Sequence, residues 1–230
     1  MIKEILFDLD NTVLDFTAAE RASIRRAFGV FSLGECTDEM LDDYSIINNK
    51  HWEMLERREK KLEEVLVDRY AEFLLKYGFN PELAEKFNDE YETHIPDTII
   101  FMPGAEELLK NLKGRVILCC ATNGVKAVQE KRLKTSGLDK IFDYVFISSA
   151  MGVGKPSKEY FDRIFAETGI VNRDEALMVG DSLTSDMLGA YNAGIKKCLY
   201  NPKHRTVKAD FPIEYETDNL MQLPEIAQLN

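Results

Sequence analysis

Five short apolar runs constrain this chain more than any other feature. They are 2–7 (IKEILF), 116–121 (VILCCA), 144–147 (YVFI), 176–179 (ALMV) and 197–200 (KCLY). The best of them are nearly continuous rather than alternating, which is the pattern of parallel strands covered by helices on both faces. From Pro103 onward they alternate with helical patterns at 105–112, 125–135, 158–168 and 184–193. Strand, helix, strand, helix with short connections predicts right-handed crossovers and an open parallel sheet, an α/β fold.

Residues 16–94 break that rhythm and contain no good strand. Their clearest helix is expected at 62–77, with Leu62, Val65, Leu66, Phe73, Leu74 and Tyr77 on one stripe. Further helices are expected at 18–28, 38–49 and 81–94. Gly78 reads as a C-terminal stop and Pro81 as a first-turn residue. The expected organisation is therefore an α/β core of residues 1–15 and 96–230, with an all-helical insertion at 16–95. A final strand within 211–218 and a helix within 219–226 would close the sheet. The basic trio Lys203, His204 and Arg205 reads as a solvated loop.

Composition narrows the function classes. The chain has 230 residues, with 29 Lys and Arg against 40 Asp and Glu, a formal net charge of −11. Its apolar and charged content is that of a globular protein, which excludes disorder, collagen and coiled coil as the main description. The negative balance argues against polymeric nucleic acid or an anionic membrane as partner. A small phosphate ester stays possible, because a pocket can be locally positive. No apolar run approaches the roughly 18 residues of a transmembrane helix. Glu4, Asp8 and Asp10 interrupt the N-terminus where a signal peptide would be apolar. Cys36, Cys119, Cys120 and Cys198 form no CxxC pair, and Cys119 and Cys120 read as buried small hydrophobes. The expected location is the cytoplasm, and the expected assembly a monomer or weak homodimer.

Ligands of an open parallel sheet bind at the carboxyl ends of its strands. Four polar motifs fall at or near such ends: Asp8-Leu9-Asp10-Asn11-Thr12, Thr122-Asn123-Gly124, Gly154-Lys155-Pro156, and Gly180-Asp181-Ser182-Leu183-Thr184-Ser185-Asp186. Each alone reads equally well as a turn or a helix cap. Together they supply carboxylates, a hydroxyl and an amine to one edge of the sheet.

In their order along the chain these motifs resemble the haloacid dehalogenase superfamily of phosphotransferases. The resemblance implies a Rossmann-like sheet, a four-helix cap in the insertion, an aspartyl-phosphate mechanism and Mg2+. Asp8 would then be the nucleophile. Asp10 would protonate the leaving alkoxide and later deprotonate the attacking water. The implied magnesium ligands are the Asp8 carboxylate, the Asp10 backbone carbonyl and Asp181; hard oxygen ligands suit that ion. Asp186 would either hydrogen-bond a metal-bound water or orient Lys155. Lys155 would neutralise charge between Asp8 and the phosphoryl oxygens. Thr122 would donate its hydroxyl to a phosphoryl oxygen, and the turn at Asn123 and Gly124 would hold the anion through backbone N–H groups. Thr12 would support the loop. Dehalogenases proper need no leaving-group acid two residues after the nucleophile, so Asp10 favours phosphoryl transfer.

Substrate choice is expected in the insertion, which would contact the leaving group. Asn48 and Trp52 are similar to the pattern of the pyrimidine 5′-nucleotidase branch, although Arg57-Arg58 replaces its turn glycine. Trp52 reads either as a face for a base or as a packing anchor between helices. His51 and His94 read as structural or surface residues. The expected function is a phosphomonoester hydrolase acting on nucleoside 5′-monophosphates. Phosphatases of other small metabolites, such as phosphoglycolate or a sugar phosphate, and a phosphomutase are the alternatives. A phospho-acceptor signalling module is a remote rival, since it has about half this length and no helical insertion.

Overall fold

Strand β1 (Glu4–Phe7) is buried at all of its positions, and its side chains alternate between two apolar layers. Ile5 and Phe7 join Leu118, Cys120, Leu177 and Val179 in one layer. Leu6 joins Cys119, Ala121, Ala176 and Met178 in the other. Both faces of the sheet are covered, so both register positions are mostly apolar, and the runs are nearly continuous for that reason. Adjacent Cys119 and Cys120 thus face opposite sides, and all four cysteines are free. These observations come from a computed structural model that describes residues 1–228.

The partners of β1 are β2 (Ile117–Thr122), β3 (Tyr144–Ile147), β4 (Ala176–Gly180), β5 (Lys196–Tyr200) and β6 (Tyr215–Thr217). Their order is β3-β2-β1-β4-β5-β6, parallel throughout. Chain order reverses at β1, which has β2 on one side and β4 on the other. That switch point opens a crevice at the carboxyl ends of these three strands.

The chain divides into two compact units, Met1–Phe16 with the chain from Ile99 onward, and Thr17–Thr98. The second unit is all-helical, with α1 (Phe16–Val30), α2 (Asp38–Glu56), α3 (Leu62–Lys76) and α4 (Ala84–His94). The observed boundaries lie one to three residues beyond those read from sequence. The two connecting segments pair with each other: Asp15 N–H donates to Ile100 O at 2.8 Å, and Met102 N–H to Val13 O at 2.9 Å. Both therefore stay with the sheet. Helix α2 runs seven residues past the expected stop at 49, since no glycine or proline interrupts it. Thr37 caps its start by accepting from Met40 N–H at 3.3 Å, the usual hydroxyl cap. Pro81 opens a 3₁₀ turn (Pro81–Leu83) that precedes α4.

Back in the sheet unit follow α5 (Ala105–Leu112), α6 (Lys126–Ser136), α7 (Ser148–Met151), α8 (Lys158–Thr168), α9 (Leu188–Ala193) and α10 (Leu223–Ile226). Leu108, Leu133 and Leu223 cover the first apolar layer, and Phe161, Ile164 and Ala190 the second. The helix expected over 184–193 splits. Residues Leu183–Met187 form a π turn, closed by Met187 N–H to Ser182 O at 3.1 Å, before α9 begins. Among the described residues, no helix is long and apolar enough to cross a membrane.

Candidate active site

Asp8 is the first residue past β1, and its N–H donates to Val179 O of β4 at 2.9 Å. The chain then folds into a tight turn. Val13 and Leu14 N–H both donate to Leu9 O, and Asn11 N–H donates to Leu14 O at 2.7 Å. Asn11 sits at φ 60°, a left-handed conformation that asparagine tolerates better than most residues. The turn brings Asp10 back beside the end of β2. Thr12 lies buried in it, and its hydroxyl has no hydrogen-bond partner among the described residues.

Lys155 arrives from the loop between α7 and α8, not directly from a strand. Its Nζ donates to Asp8 Oδ1 at 2.6 Å and to Asp186 Oδ1 at 2.7 Å. The lysine side chain is 1% exposed, and those of Asp8 and Asp186 are 9% and 1% exposed. The contact with Lys155 is the one that the second of the two roles read for Asp186 requires. The other oxygen of Asp186 accepts from Ser182 N–H at 3.0 Å. The π turn supplies this geometry, and such turns recur at functional sites. A Cβ on Gly180 would lie 2.2 Å from Asp186 Oδ2, so only glycine fits there. Burial works against the lysine's charge, but Asp186 and Asp8 outweigh it and hold Lys155 well above the usual amine range. Burial pushes the Asp8 carboxyl up, with Lys155 acting in the opposite direction.

Asp181 completes an acidic group: carboxylate oxygens of Asp8, Asp181 and Asp186 all lie within 4.8 Å of one another. Burial, then the Asp186 charge, pushes the Asp181 carboxyl up to about 7. Three carboxylates share one buried ammonium, with Arg205 at the rim 3.5 Å from Asp181. That excess of negative oxygen is the donor set a hard divalent cation requires. Both oxygens of Asp186 accept hydrogen bonds here, whereas Asp8 pairs with Lys155 and Asp181 with Arg205. Lys203, His204 and Arg205 are exposed, as a solvated loop requires, and Arg205 reaches the site besides. It also donates to Asp181 O at 3.1 Å, because Asn201 folds the loop back by accepting from Arg205 N–H at 2.9 Å.

The Thr122 side chain is fully buried at the end of β2, and its Oγ1 accepts from Gln129 Nε2 at 2.8 Å. The same Nε2 donates to Asp10 Oδ2 at 2.8 Å, and Arg132 Nη1 donates to Asp10 Oδ1. Neither Gln129 nor Arg132 stands in any of the four motifs. Their i, i+3 spacing on α6 was the available signal, but polar residues at that spacing on a lysine-rich helix read as a solvated face.

Asn123 and Gly124 lie at the β2-to-α6 turn, as expected, but two of their polar groups are already engaged. The Asn123 side chain braces the Lys155 loop, donating to Lys155 O at 2.8 Å and accepting from Lys155 N–H at 3.0 Å. Gly124 N–H donates to Ser148 Oγ at 3.1 Å. The expectation that Gly124 holds an anion through its N–H is thereby corrected: the α7 hydroxyl already takes that donor.

Asn48 and Trp52 belong to the helical unit. Asn48 is 3% exposed, and both of its amide ends are used there. It donates to Glu20 Oε1 at 2.8 Å and accepts from Arg69 Nη1 at 2.9 Å, while Arg69 Nη2 reaches Asn88 Oδ1 at 2.9 Å. The expectation that Asn48 offers its amide to a substrate is corrected on that ground. Trp52 is half-buried on α2. His51 is buried and paired with Glu72 at 2.9 Å, and His94 pairs with Asp97 at 2.6 Å, both structural contacts.

Residues 5–200 match the family model described as haloacid dehalogenase-like hydrolase. The chain is 33% identical over 207 residues to the pyrimidine 5′-nucleotidase PynA of Streptococcus pneumoniae, covering 88% of this chain and 85% of that one. It is 30% identical over 222 residues to the pyrimidine 5′-nucleotidase YjjG of Escherichia coli, covering 96% of each. Among solved structures, the HAD-hydrolase YfnB of Bacillus subtilis bound to magnesium superposes with a TM-score of 0.92 at 32% identity, over 99% of both chains.

Proposed function

The chain belongs to the haloacid dehalogenase-like hydrolases, and from that membership we propose that this phosphoric monoester hydrolase is a magnesium-dependent 5′-nucleotidase that carries the phosphoryl group on Asp8. The observation that carries the reading is the buried Asp8–Lys155–Asp186 chain at the end of β1, with Asp10 two residues further on. Lys155 engages Oδ1 of Asp8, which leaves Oδ2 as the attacking atom. In the first half-reaction the bond from Asp8 Oδ2 to phosphorus forms and the bond to the ester oxygen breaks. Asp10 gives its proton to that oxygen, and the alcohol leaves. In the second, Asp10 takes a proton from water as the water attacks phosphorus, and inorganic phosphate and free Asp8 result.

Thr122 accepts from Gln129, so its own hydroxyl hydrogen is available to a phosphoryl oxygen. Lys155 neutralises charge on the attacking side. Asp8, Asp181 and the Asp10 backbone carbonyl would hold the divalent ion, which supplies the positive charge that lets a phosphate dianion approach two carboxylates.

The preference for pyrimidine nucleotides rests on the two nucleotidase relatives and on Trp52 as a face for a flat base. Stacking of a base on an aromatic side chain is worth roughly 1–3 kcal/mol. The test is phosphate release from dUMP and dTMP against phosphoglycolate, hexose phosphates and p-nitrophenyl phosphate, with and without chelator. The nucleotides should be the best substrates, and activity should vanish in chelator and return with magnesium. Trp52→Ala should lower kcat/KM for dUMP more than for p-nitrophenyl phosphate. Preference for phosphoglycolate or a hexose phosphate would remove the nucleotidase reading and leave the phosphatase in place.

A further inference from the structure

Both carboxylate oxygens of Asp10 are held by one helix that contains no recognised motif. Gln129 Nε2 meets Oδ2 at 2.8 Å, and Arg132 Nη1 meets Oδ1. Arg132 Nη1 also donates to Gln129 Oε1 at 2.8 Å, so the amide of Gln129 is locked with its NH2 toward Asp10 and Thr122. The two side chains are 3% and 1% exposed. Gln129 can fold over the turn only because Gly124 has no side chain: a Cβ there would lie 2.9 Å from Gln129 Nε2 and 3.0 Å from its Cγ. The Arg132 guanidinium rests 5.3 Å from the centre of the Phe16 ring. Its Nε and Nη2 have no hydrogen-bond partner among the described residues. A buried cation with one acidic partner is costly to keep unless that partner is what it serves.

We propose that Arg132 and Gln129 are positioning residues for proton transfer by Asp10. They fix the rotamer of the Asp10 carboxyl and, through Gln129, the direction of the Thr122 hydroxyl. Both act on the substrate through Asp10 and Thr122. The inference rests on the reading of Asp10 as the proton donor to the leaving group, and the experiment separates the two.

The measurement is kcat/KM on an alkyl ester, dUMP, and on an aryl ester, p-nitrophenyl phosphate. This ratio reports events up to the departure of the alcohol, so it isolates the donor step from the later hydrolysis. An alkoxide needs a proton as it leaves, whereas p-nitrophenolate is a stable anion. Asp10→Asn should therefore reduce the alkyl rate at least about tenfold more than the aryl rate. Arg132→Met should show the same split, and Arg132→Lys, which keeps the charge, should fall between it and the parent. In an Asp10→Asn background, adding Arg132→Met should change neither rate further, since residues acting as a unit are non-additive.

Should Arg132→Met not fold, Gln129→Leu carries the same test. It should show the ester split on top of a loss common to both esters through Thr122. Equal losses on the two esters, or an undiminished effect in the Asp10→Asn background, would make the pair merely structural and overturn the proposal. Absence of any split in Asp10→Asn would instead overturn the donor reading and the proposal with it.

Discussion

Single atoms at Asp8 and Gly180 carry much of the chemistry proposed here. Asp8→Asn keeps the shape of the side chain but removes the attacking anion, so phosphate release should fall to background while the far-UV spectrum is unchanged. Parent-like turnover in that variant would end the aspartyl-phosphate reading. Asp186→Asn leaves Lys155 with one charged partner in a buried site. Loss of one electrostatic stabiliser of this kind costs roughly 10²–10³-fold in rate, and steady-state kinetics should find kcat lowered on that scale. Gly180→Ala is a test of packing against chemistry. Its methyl would lie 2.2 Å from Asp186 Oδ2, so Asp186 must move and the Lys155 contact with it. Activity should fall about as far as in Asp186→Asn, although alanine is otherwise the mildest substitution. Equal activity in Gly180→Ala and the parent would show that the π turn absorbs the clash.

Elements fail in different ways on the two sides of the chain's division. Leu118 of β2 is fully buried among Ile5, Leu177 and the helices that cover them. Truncation of such a side chain costs about 2–5 kcal/mol, so Leu118→Ala should lower the denaturation midpoint with little change in slope. The helical unit instead carries a polar centre. Glu20 of α1 accepts from Ser45 Oγ at 2.7 Å and from Asn48, both on α2, with Arg69 of α3 and Arg21 of α1 as nearby charges. Burial outweighs these and pushes its carboxyl from 4.5 up to about 7. The sign follows directly. The folded state holds a proton that the unfolded chain has released, so the stabilising contribution is full below about pH 4.5. It is lost as pH rises through about 7. The swing is at most about 3 kcal/mol, and Glu20→Gln should flatten stability between pH 5 and 8 in urea titrations.

Charge sets the behaviour of the whole molecule. The formal net charge of the chain is −11, and Asp8, Asp181 and Asp186 bring three of its carboxylates together. A ligand that binds the folded state alone stabilises it by about 2.7 kcal/mol at a hundredfold excess over Kd. Magnesium should therefore raise the melting temperature without any substrate present, and Asp181→Ala should abolish the shift. An unchanged melting temperature in the parent at saturating magnesium would mean that the acidic group does not hold the ion.

IKEILF and VILCCA were legible as buried strands because both faces of the sheet demand apolar residues, and a one-dimensional pattern records that demand. The DLDNT and GDSLTSD motifs were legible because short loops at strand ends keep their residues close together in sequence. Glu4 was not: it lies fully buried within the first run, its carboxyl raised by burial and accepting from Cys119 and Thr168 at 3.2 and 3.1 Å. Nothing local distinguishes it from a solvated glutamate. Asn48 is illegible for the same reason, since a polar residue on a helix looks alike whether it meets water or, as here, another buried polar group such as Arg69. The pairing of Gln129 and Arg132 with Asp10 spans 119 and 122 residues. Only the tertiary placing of α6 beside the turn after β1 brings them together, and packing of that kind depends on volumes that no spacing in the chain encodes.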